Sequence, residues 1–330
     1  MNMNITEIAN PFHILALSGG GFRGLFTATI LERLEEEFGY PIAKKFDLLS
    51  GTSIGGVITL ALAAEIPAKT IKDLFMGSKD KIFGRPHLTK GYFCNSKYNN
   101  EGLKECFKNF FQEKKIGDLK HRVIIPTINY TKGSTQIFKT RHHKDLKNDF
   151  KFSLVDVALA TSAAPIYFPI FRSEHGDFLD GGIVANHPGF FAYIEAQEYL
   201  DIKPENLFQL HIGTTFHKIT SSGQKRIRKN GLLCWKAKLL ELFFSCQELS
   251  TEQNLSFLLK ERYHSINSIS DNEQSRSLVL DNISETAQTL LTQKANEAFK
   301  EFQGNKFYEI IHSHNANVFI QIPLDGGTIK

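Results

Sequence analysis

The sequence has few of the residues that hold small or metal-dependent proteins together. Four of its 330 residues are cysteines, namely Cys94, Cys106, Cys234 and Cys246. No two of them form a C-x-x-C pair, and none is spaced from a histidine as in a zinc finger. A chain of this length buries a sizeable core without disulfides or metal ions. We therefore predict four unbridged thiols in a reducing cytosol.

Long apolar runs and a strong charge bias are also missing. The most apolar stretch, residues 54–64, is far shorter than the roughly 20 residues that span a bilayer. Residues 1–11 carry neither a basic nor an apolar segment, so we expect no signal peptide. The formal net charge of +4 is mild and indicates no dedicated binder of DNA or RNA. We expect a cytoplasmic protein, and any work on lipid would have to be done from outside the bilayer.

What the sequence does contain is a repeated strand–helix pattern. An apolar run at residues 13–18 ends in three consecutive glycines, and residues 25–38 then have helical spacing of apolar side chains. A second apolar run at residues 46–50 leads through a glycine turn into an apolar helix that begins at Ile54. Two such units in succession predict an α/β fold with a parallel sheet.

The rest of the chain divides into a continuation of this pattern and a helical end. Residues 67–76 have the pattern of a helix, whereas residues 77–98 are polar and irregular. Near the end, residues 263–269 have the pattern of an edge strand between two helical segments. We predict a catalytic core over residues 1–215 and a helical C-terminal part, residues 216–330, packed on the same domain.

The first candidate for chemistry is a serine in a glycine-flanked turn. Residues 51–55 read Gly-Thr-Ser-Ile-Gly and match G-x-S-x-G, with Ser53 at the centre. An apolar strand precedes this turn and an apolar helix follows it, which is the context of a nucleophile elbow. The start of that helix also favours negative charge developing at the serine. The alternative is a serine that only caps the helix, and the five-residue pattern alone does not decide between them.

The second candidate is the glycine run after the first strand. Successive backbone N–H groups at Gly19, Gly20 and Gly21 form a nest that binds an anion or an oxyanion. A phosphate-binding loop is excluded because G-x-x-x-x-G-K-[ST] is missing. Gly24 completes G-x-G-x-x-G, but the acid that a dinucleotide site needs, Asp47, lies near the start of its strand and not at its end. A tight turn without a ligand stays open.

The third candidate is Asp180, which two glycines follow. A carboxylate on such a turn approaches a serine closely and serves as its base. A Ser-Asp-His triad is an alternative, since His187, His211 and His217 all follow Asp180 in the sequence. However, His211 lies within an apolar strand pattern, where a hydrogen-bonded core histidine is expected. As an isolated motif, the Asp-Gly-Gly triplet indicates only a turn.

The three motifs in this order resemble the patatin-like phospholipase family. The resemblance covers residues 14–188, about half of the chain. It includes Ser-Ala-Ala-Pro at residues 162–165, Phe-Pro at residues 168–169 and Asn186. It implies a three-layer α/β fold with a central, mainly parallel sheet, and lipid acyl hydrolysis without a metal or another catalytic cofactor.

The resemblance also implies a role for each motif. Ser53 would be the nucleophile and Asp180 the base of a Ser–Asp dyad that needs no histidine. The backbone of Gly19, Gly20 and Gly21 would form the oxyanion hole, with Arg23 beside it. No residue of the family's motifs is missing, which implies an active enzyme.

A narrower resemblance concerns regulation. The surroundings of Trp235, residues 247–259, Arg262-Tyr263 and Asp281-Asn282 are similar to patatin-like effectors of bacterial antiphage systems that a cyclic nucleotide activates. This implies a cyclic dinucleotide as activator and phospholipid of the inner membrane as substrate. An unregulated hydrolase and a non-catalytic nucleotide sensor are the alternatives, and a homodimer is possible.

Two further groups of residues are candidates for ligand contact. Basic side chains that would meet phosphates lie in two segments: Arg85, His87, Lys90 and Lys97, and then Lys225, Arg226, Arg228 and Lys229. Aromatic side chains that would line an acyl entrance are Phe83, Tyr92 and Phe93. The alternatives are solvated loops for the basic groups and packing beneath a loop for the aromatic ones.

Overall fold

The structure of the chain is a computed structural model. It describes residues 10–84, 86, 95–217, 237–270 and 277–323.

A mixed sheet of eight strands forms the centre of the fold. The strands in chain order are β1 (Phe12–Leu17), β2 (Leu48–Gly51), β3 (Val123–Asn129), β4 (Ser134–Lys139), β5 (Phe171–Ser173), β6 (Gly176–Leu179), β7 (Leu207–Ile212), β8 (Phe216–His217), β9 (Tyr263–Ile266) and β10 (Ile269–Ser270). The sheet order is β5-β6-β3-β2-β1-β7-β9, and β4 also pairs with β3. Strands β3, β2, β1, β7 and β9 run parallel to one another, and β4, β5 and β6 add antiparallel pairs. Strands β8 and β10 form a separate pair.

Helices lie on both faces of this sheet. They are α1 (Gly24–Phe38), α2 (Ile54–Ala63), α3 (Ala68–Phe83), α4 (Glu101–Phe111), α5 (Leu154–Thr161), α6 (Gly182–Ala185), α7 (Gly189–Glu198), α8 (Ala237–Leu259), α9 (Glu285–Gln303) and α10 (Lys306–Ser313). No helix in the described ranges is long and apolar enough to cross a membrane.

The residues of β1 show why helices cover both faces of the sheet. Side chains alternate along a strand, so Leu15 and Leu17 face one layer while Phe12 and Ile14 face the other. The first pair packs with the apolar sides of α1 and α2, and the second packs with α7 and the end of α8. A strand buried on both faces has a continuous apolar sequence, which is the pattern of residues 13–18. The predicted three-layer α/β fold is confirmed.

The C-terminal segment takes part in the same core. Strand β9 pairs with β7 at the edge of the sheet, where residues 263–269 were expected to form an edge strand. Helix α9 packs against α1 and buries Leu291 and Ala295 in the core. Further on, the Ala316 N–H donates to the Lys44 carbonyl oxygen at 2.7 Å, shortly before β2 begins. The C-terminal residues thus supply a strand and a covering helix.

The prediction for residues 77–98 is wrong in its first part. Helix α3 continues to Phe83 and does not end near Met76. Residues 79–81 in the last turns of α3 are polar. The next two residues, Ile82 and Phe83, are apolar and pack against the core. Of the cysteines, Cys106 and Cys246 are free thiols, and Cys94 and Cys234 lie outside the described residues.

Candidate active site

Ser53 lies in a sharp turn between β2 and α2. Its φ and ψ are 54° and −125°, a left-handed conformation that costs about 1–3 kcal/mol for a residue other than glycine. The Ser53 N–H donates to Thr161 Oγ1 at 3.0 Å, and Thr52 Oγ1 donates to the Ala185 carbonyl oxygen at 2.7 Å. The Ser53 side chain makes no capping hydrogen bond to α2. The turn therefore has the geometry of a nucleophile elbow and not that of a helix cap.

Close backbone contacts around this turn require glycine. A Cβ atom on Gly55 would lie 2.3 Å from the carbonyl oxygen of Leu17, and one on Gly51 would lie 2.2 Å from the carbonyl oxygen of Gly55. Both distances are far below van der Waals contact, so any larger residue would force the elbow away from the end of β1. The two glycines of the motif thus set the position of Ser53.

Asp180 follows β6 and reaches the serine directly. Ser53 Oγ donates to Asp180 Oδ2 at 2.7 Å, and the Gly182 N–H donates to Asp180 Oδ1 at 2.6 Å. The carboxyl group is fully buried. Burial raises the pKa of Asp180 to about 7, although the hydrogen bonds from Ser53 and Gly182 act in the opposite direction. A base with a pKa close to neutral is well matched to proton transfer at physiological pH.

The histidines that could have completed a triad have other partners. His211 shares hydrogen bonds with Ser18 Oγ at 2.8 Å and Ser265 Oγ at 2.9 Å. His187 stacks on His211 at 3.7 Å between ring centroids, and its Nε2 lies 2.9 Å from the Tyr263 hydroxyl. Burial lowers the pKa of both imidazoles, so they are neutral core residues. The His217 side chain lies outside the described residues.

The glycine loop, residues 19–21, lies beside Ser53. Hydrogen bonds hold two of its carbonyl groups in place. The Gly19 carbonyl oxygen accepts from Thr214 Oγ1 at 3.0 Å, and the Gly20 carbonyl oxygen accepts from the Arg23 N–H at 3.1 Å. Because the C=O and N–H of a trans peptide point in opposite directions, the N–H groups of Gly20 and Gly21 point away from these partners. Neither N–H has an acceptor among the described residues.

The third predicted donor of the loop is engaged elsewhere. The Gly19 N–H donates to the carbonyl oxygen of Asn186 at 3.1 Å, so the structure leaves two N–H groups for an oxyanion and not three. Arg23 lies on the carbonyl side of the loop, where its Nε donates to Gly20 at 3.4 Å. Its position orients the Gly20–Gly21 peptide and does not bring the guanidinium into a hydrogen bond with Ser53.

An apolar pocket opens from the serine. It encloses about 880 Å³, open solvent at its mouth included, and Gly20, Gly21, Ser53 and Asp180 line one part of it. Apart from Lys79 and Ser162, the other lining side chains are almost all apolar and come mainly from α2, α3, α4 and the 164–168 loop: Phe22, Ile54, Val57, Ile71, Leu74, Phe75, Ile82, Phe83, Leu103, Cys106, Phe107, Ala164, Tyr167, Phe168, Phe244 and Leu280. Phe83 had been predicted at an acyl entrance, while Tyr92 and Phe93 lie outside the described residues.

Two residues of this pocket come from the C-terminal segment, and no motif indicated them. The Leu280 carbonyl oxygen accepts from the Phe22 N–H at 2.7 Å, and the Leu280 side chain packs with Phe244 and Tyr167. The next residue, Asp281, forms an ion pair with Lys97 and accepts from the Tyr98 hydroxyl at 2.7 Å. The C-terminal segment is therefore joined to the glycine loop close to Ser53.

The candidate nucleotide contacts are only partly described. Lys97 is held by Asp281. The other basic candidates lie outside the described residues, as does Trp235: Arg85, His87, Lys90, Lys225, Arg226, Arg228 and Lys229.

The structure excludes the dinucleotide fingerprint. Asp47 lies just before β2, at the end of the sheet away from the glycines that follow β1. It accepts from the His13 N–H at 2.8 Å and lies 2.8 Å from His314 Nε2. Asp47 is thus a buried, hydrogen-bonded residue of the core. The described part of the chain also has no group of acidic, histidine or cysteine side chains that could hold a metal ion.

Comparison with known proteins agrees with this site. The family model of patatin-like phospholipases matches residues 15–192, which include both catalytic candidates and the glycine loop. The chain belongs to the patatin-like phospholipase family. The match confirms the resemblance drawn from the motifs and, with it, the prediction of a patatin-type α/β hydrolase.

Relatives of this patatin-like chain extend over nearly its whole length. A cGAMP-activated phospholipase of Pseudomonas aeruginosa is 42% identical over 311 residues, 93% of both chains. Proteins of the same description from Vibrio cholerae and Escherichia coli are 32% and 31% identical. They cover 91% and 93% of this chain, and 94% and 95% of their own lengths. The similarity thus includes the C-terminal segment beyond the family match.

Proposed function

We propose that this protein hydrolyses acyl esters of membrane phospholipids through a Ser53–Asp180 dyad, and that a cyclic dinucleotide activates it. The observation that carries the catalytic part is the 2.7 Å hydrogen bond from Ser53 Oγ to Asp180 Oδ2. This hydrogen bond lies in the strained turn at Ser53, where an apolar pocket opens. The N–H groups of Gly20 and Gly21 are nearby and have no acceptor among the described residues.

The reaction would proceed in two steps. Asp180 takes the proton of Ser53 Oγ as the oxygen attacks the ester carbonyl, and the N–H groups of Gly20 and Gly21 stabilise the oxyanion. The alcohol leaves with the proton from Asp180, and the acyl group stays on Ser53. Asp180 then takes a proton from water, which attacks the acyl-enzyme, and returns it to Ser53 Oγ as the fatty acid is released. No step requires a metal ion or a histidine.

The pocket indicates the chemical class of the substrate. It opens directly at Ser53 and Asp180, so a bound substrate would lie against the reacting groups. Besides the reacting groups, the only polar side chains among its described lining residues are Lys79 and Ser162, so a hydrocarbon chain fits it better than a sugar or a peptide. A phospholipid would place its acyl chain there and leave its headgroup at the surface, with the protein acting peripherally on the inner membrane.

The relatives support the regulatory part. Three of them are named cGAMP-activated phospholipases, and all three match this chain almost from end to end. Activation by a cyclic nucleotide would place the enzyme in antiphage defence, where destruction of membrane phospholipid stops the infected cell.

The test is fatty-acid release from phospholipid vesicles, with and without a panel of cyclic dinucleotides that includes cGAMP. Ser53→Ala should lower the rate by about 10⁶-fold, as loss of the nucleophile does in other serine hydrolases. Ser250→Ala, on the exposed side of α8, is the matched control and should keep the wild-type rate.

The outcomes separate the alternatives. A wild-type rate that no member of the panel raises would indicate an unregulated hydrolase. A Ser53→Ala variant that keeps its rate would refute the dyad. Nucleotide binding without hydrolysis in any condition would indicate a non-catalytic sensor.

A further inference from the structure

A buried carboxylate lies behind the glycine loop and has no part in the dyad. Glu248 is on α8, in the C-terminal segment, and is 5% exposed. Its Oε2 accepts from Asn186 Nδ2 at 3.0 Å, and its Oε1 accepts from Asn267 Nδ2 at 2.9 Å. Both carboxylate oxygens are thus used to hold one asparagine each.

The first asparagine supports the N–H side of the loop. The Asn186 carbonyl oxygen accepts from the Gly19 N–H at 3.1 Å, and its backbone N–H donates to Gln247 Oε1 at 3.1 Å. Its Oδ1 is 2.6 Å from the place where a Cβ on Gly19 would be, a place only 3.1 Å from Ser53 Cβ. The side chain that Glu248 holds therefore packs on Gly19 next to the nucleophile.

The second asparagine supports the carbonyl side of the loop. Asn267 packs on Gly213, where a Cβ would lie 2.3 Å from Asn267 Nδ2. Thr214 follows Gly213 and donates its hydroxyl to the Gly19 carbonyl oxygen at 3.0 Å. Glu248 thus supports, through two asparagines, the groups that bind Gly19 on both sides.

The contacts call for an ionised carboxylate. A carboxylate accepts at both oxygens, whereas a protonated carboxyl group would direct an O–H at one of the two amide groups. Burial raises the pKa of Glu248 to about 7, with Glu252 acting in the same direction. The positive charge of Arg23 and the bonds from the two asparagines lower it.

We propose that Glu248 is a positioning residue of the hydrolase. Its carboxylate holds Asn186 and Asn267 and thereby fixes the glycine loop in the geometry that stabilises the oxyanion. Through this contact, helix α8 of the C-terminal segment sets the catalytic competence of the site. The proposal rests on the proposed function, because it concerns the same oxyanion hole.

The central experiment replaces the charge without changing the shape. Glu248→Gln keeps one acceptor but turns an amide group toward one of the two asparagines. With p-nitrophenyl butyrate and the cyclic dinucleotide that activates the wild type, we expect kcat to fall about 10²-fold with KM unchanged, since a misplacement near 1 Å costs this much. The loop acts on the transition state, which is why kcat and not KM responds. Complete labelling of a separate sample with a fluorophosphonate gives the concentration of active enzyme, and each rate is divided by this concentration.

A reciprocal exchange provides the rescue. In Glu248→Gln combined with Asn267→Asp, the new amide donates to the new carboxylate and the other oxygen still accepts from Asn186. We expect this double variant to recover at least tenfold of the lost kcat. Glu261→Gln makes the same chemical change at an exposed position just after α8 and should keep wild-type values.

The pH profile separates positioning from general support of the fold. If both Asp180 and Glu248 must be ionised, the acid limb of log(kcat/KM) has a slope near 2 in the wild type and near 1 in Glu248→Gln. Should Glu248→Gln fail to fold, Asn267→Ala removes one of the two contacts, and we expect it to lower kcat about tenfold.

Three results would overturn the proposal. They are a folded Glu248→Gln with kcat within twofold of the wild type, a loss that the exchange does not recover, and a folded Asn267→Ala with wild-type kcat. Failure of the proposed function has a different signature, because Ser53→Ala would then keep its hydrolysis whatever the Glu248 variants do.

Discussion

The closest packing in the glycine loop is at Gly20, and it gives the sharpest prediction. A Cβ atom on Gly20 would lie 2.1 Å from Thr214 Oγ1 and 2.6 Å from Thr214 Cβ. Thr214 is 1% exposed and holds the Gly19 carbonyl oxygen, so it has no free space to move into. Gly20→Ala must therefore displace the Gly19–Gly20 peptide or Thr214 by about 1 Å to restore van der Waals contact, and the Gly20 N–H moves with the peptide.

The magnitude follows from the role of that N–H. Loss of one oxyanion donor costs about 10²–10³ in kcat, or about 2.7–4 kcal/mol of transition-state stabilisation. We expect Gly20→Ala to lower kcat on p-nitrophenyl butyrate by this factor while KM changes little. Steady-state kinetics measure the loss, and thermal unfolding shows whether the fold is kept.

A second glycine provides the matched control. Gly77 lies inside α3, and a Cβ there would have no atom within 4 Å. Gly77→Ala should leave kcat unchanged and stabilise the protein by about 0.5–1 kcal/mol, because alanine favours a helix. If Gly20→Ala folds like the wild type and keeps its kcat within twofold, the loop does not bind the oxyanion.

Three further predictions concern the base and the pocket. Because Asp180 must be ionised to take the proton and burial raises its pKa to about 7, kcat/KM should rise as the pH increases through 7, and a profile flat from pH 5 to 8 would contradict this. Asp180→Asn should lower kcat by about 10²–10⁴, the usual contribution of a general base, with little change in thermal unfolding; near-wild-type turnover would exclude Asp180 as the base. Leu103→Trp, which narrows the pocket at α4, should lower kcat/KM for long-chain phospholipid about tenfold and spare p-nitrophenyl butyrate, since overpacking costs about 1–3 kcal/mol. Equal losses on both esters would argue against acyl binding in this pocket.

The candidate catalytic residues could be picked out from the sequence because each belongs to a local pattern. Ser53 follows an apolar strand and precedes an apolar helix, and this order alone places its hydroxyl at the end of the sheet. The glycines after β1 occupy the same end, because β1 and β2 are parallel neighbours. Asp180 was predictable only in company with the other two motifs, since a turn with two glycines has no chemical meaning by itself.

The residues that support the site were not predictable in the same way. Glu248 and Leu280 lie 195 and 227 positions after Ser53 in the sequence, and only the packing of the C-terminal segment brings them to the loop. The Gly19 N–H donates to the backbone carbonyl oxygen of Asn186, and no sequence pattern predicts this hydrogen bond. The length of helix α3 was underestimated because its last turns are rich in charged residues, and the pocket that Ile82 and Phe83 line is not visible in a local pattern.

The central claim is that Ser53 carries the acyl group during turnover. The most direct measurement is mass spectrometry of the activated enzyme, quenched in acid during hydrolysis of phospholipid and digested to peptides. The proposed mechanism predicts a fatty-acyl adduct on the peptide that contains Ser53, stronger when deacylation is slowed and missing in Ser53→Ala. Turnover with no adduct on Ser53, or with an adduct on another residue, would contradict it.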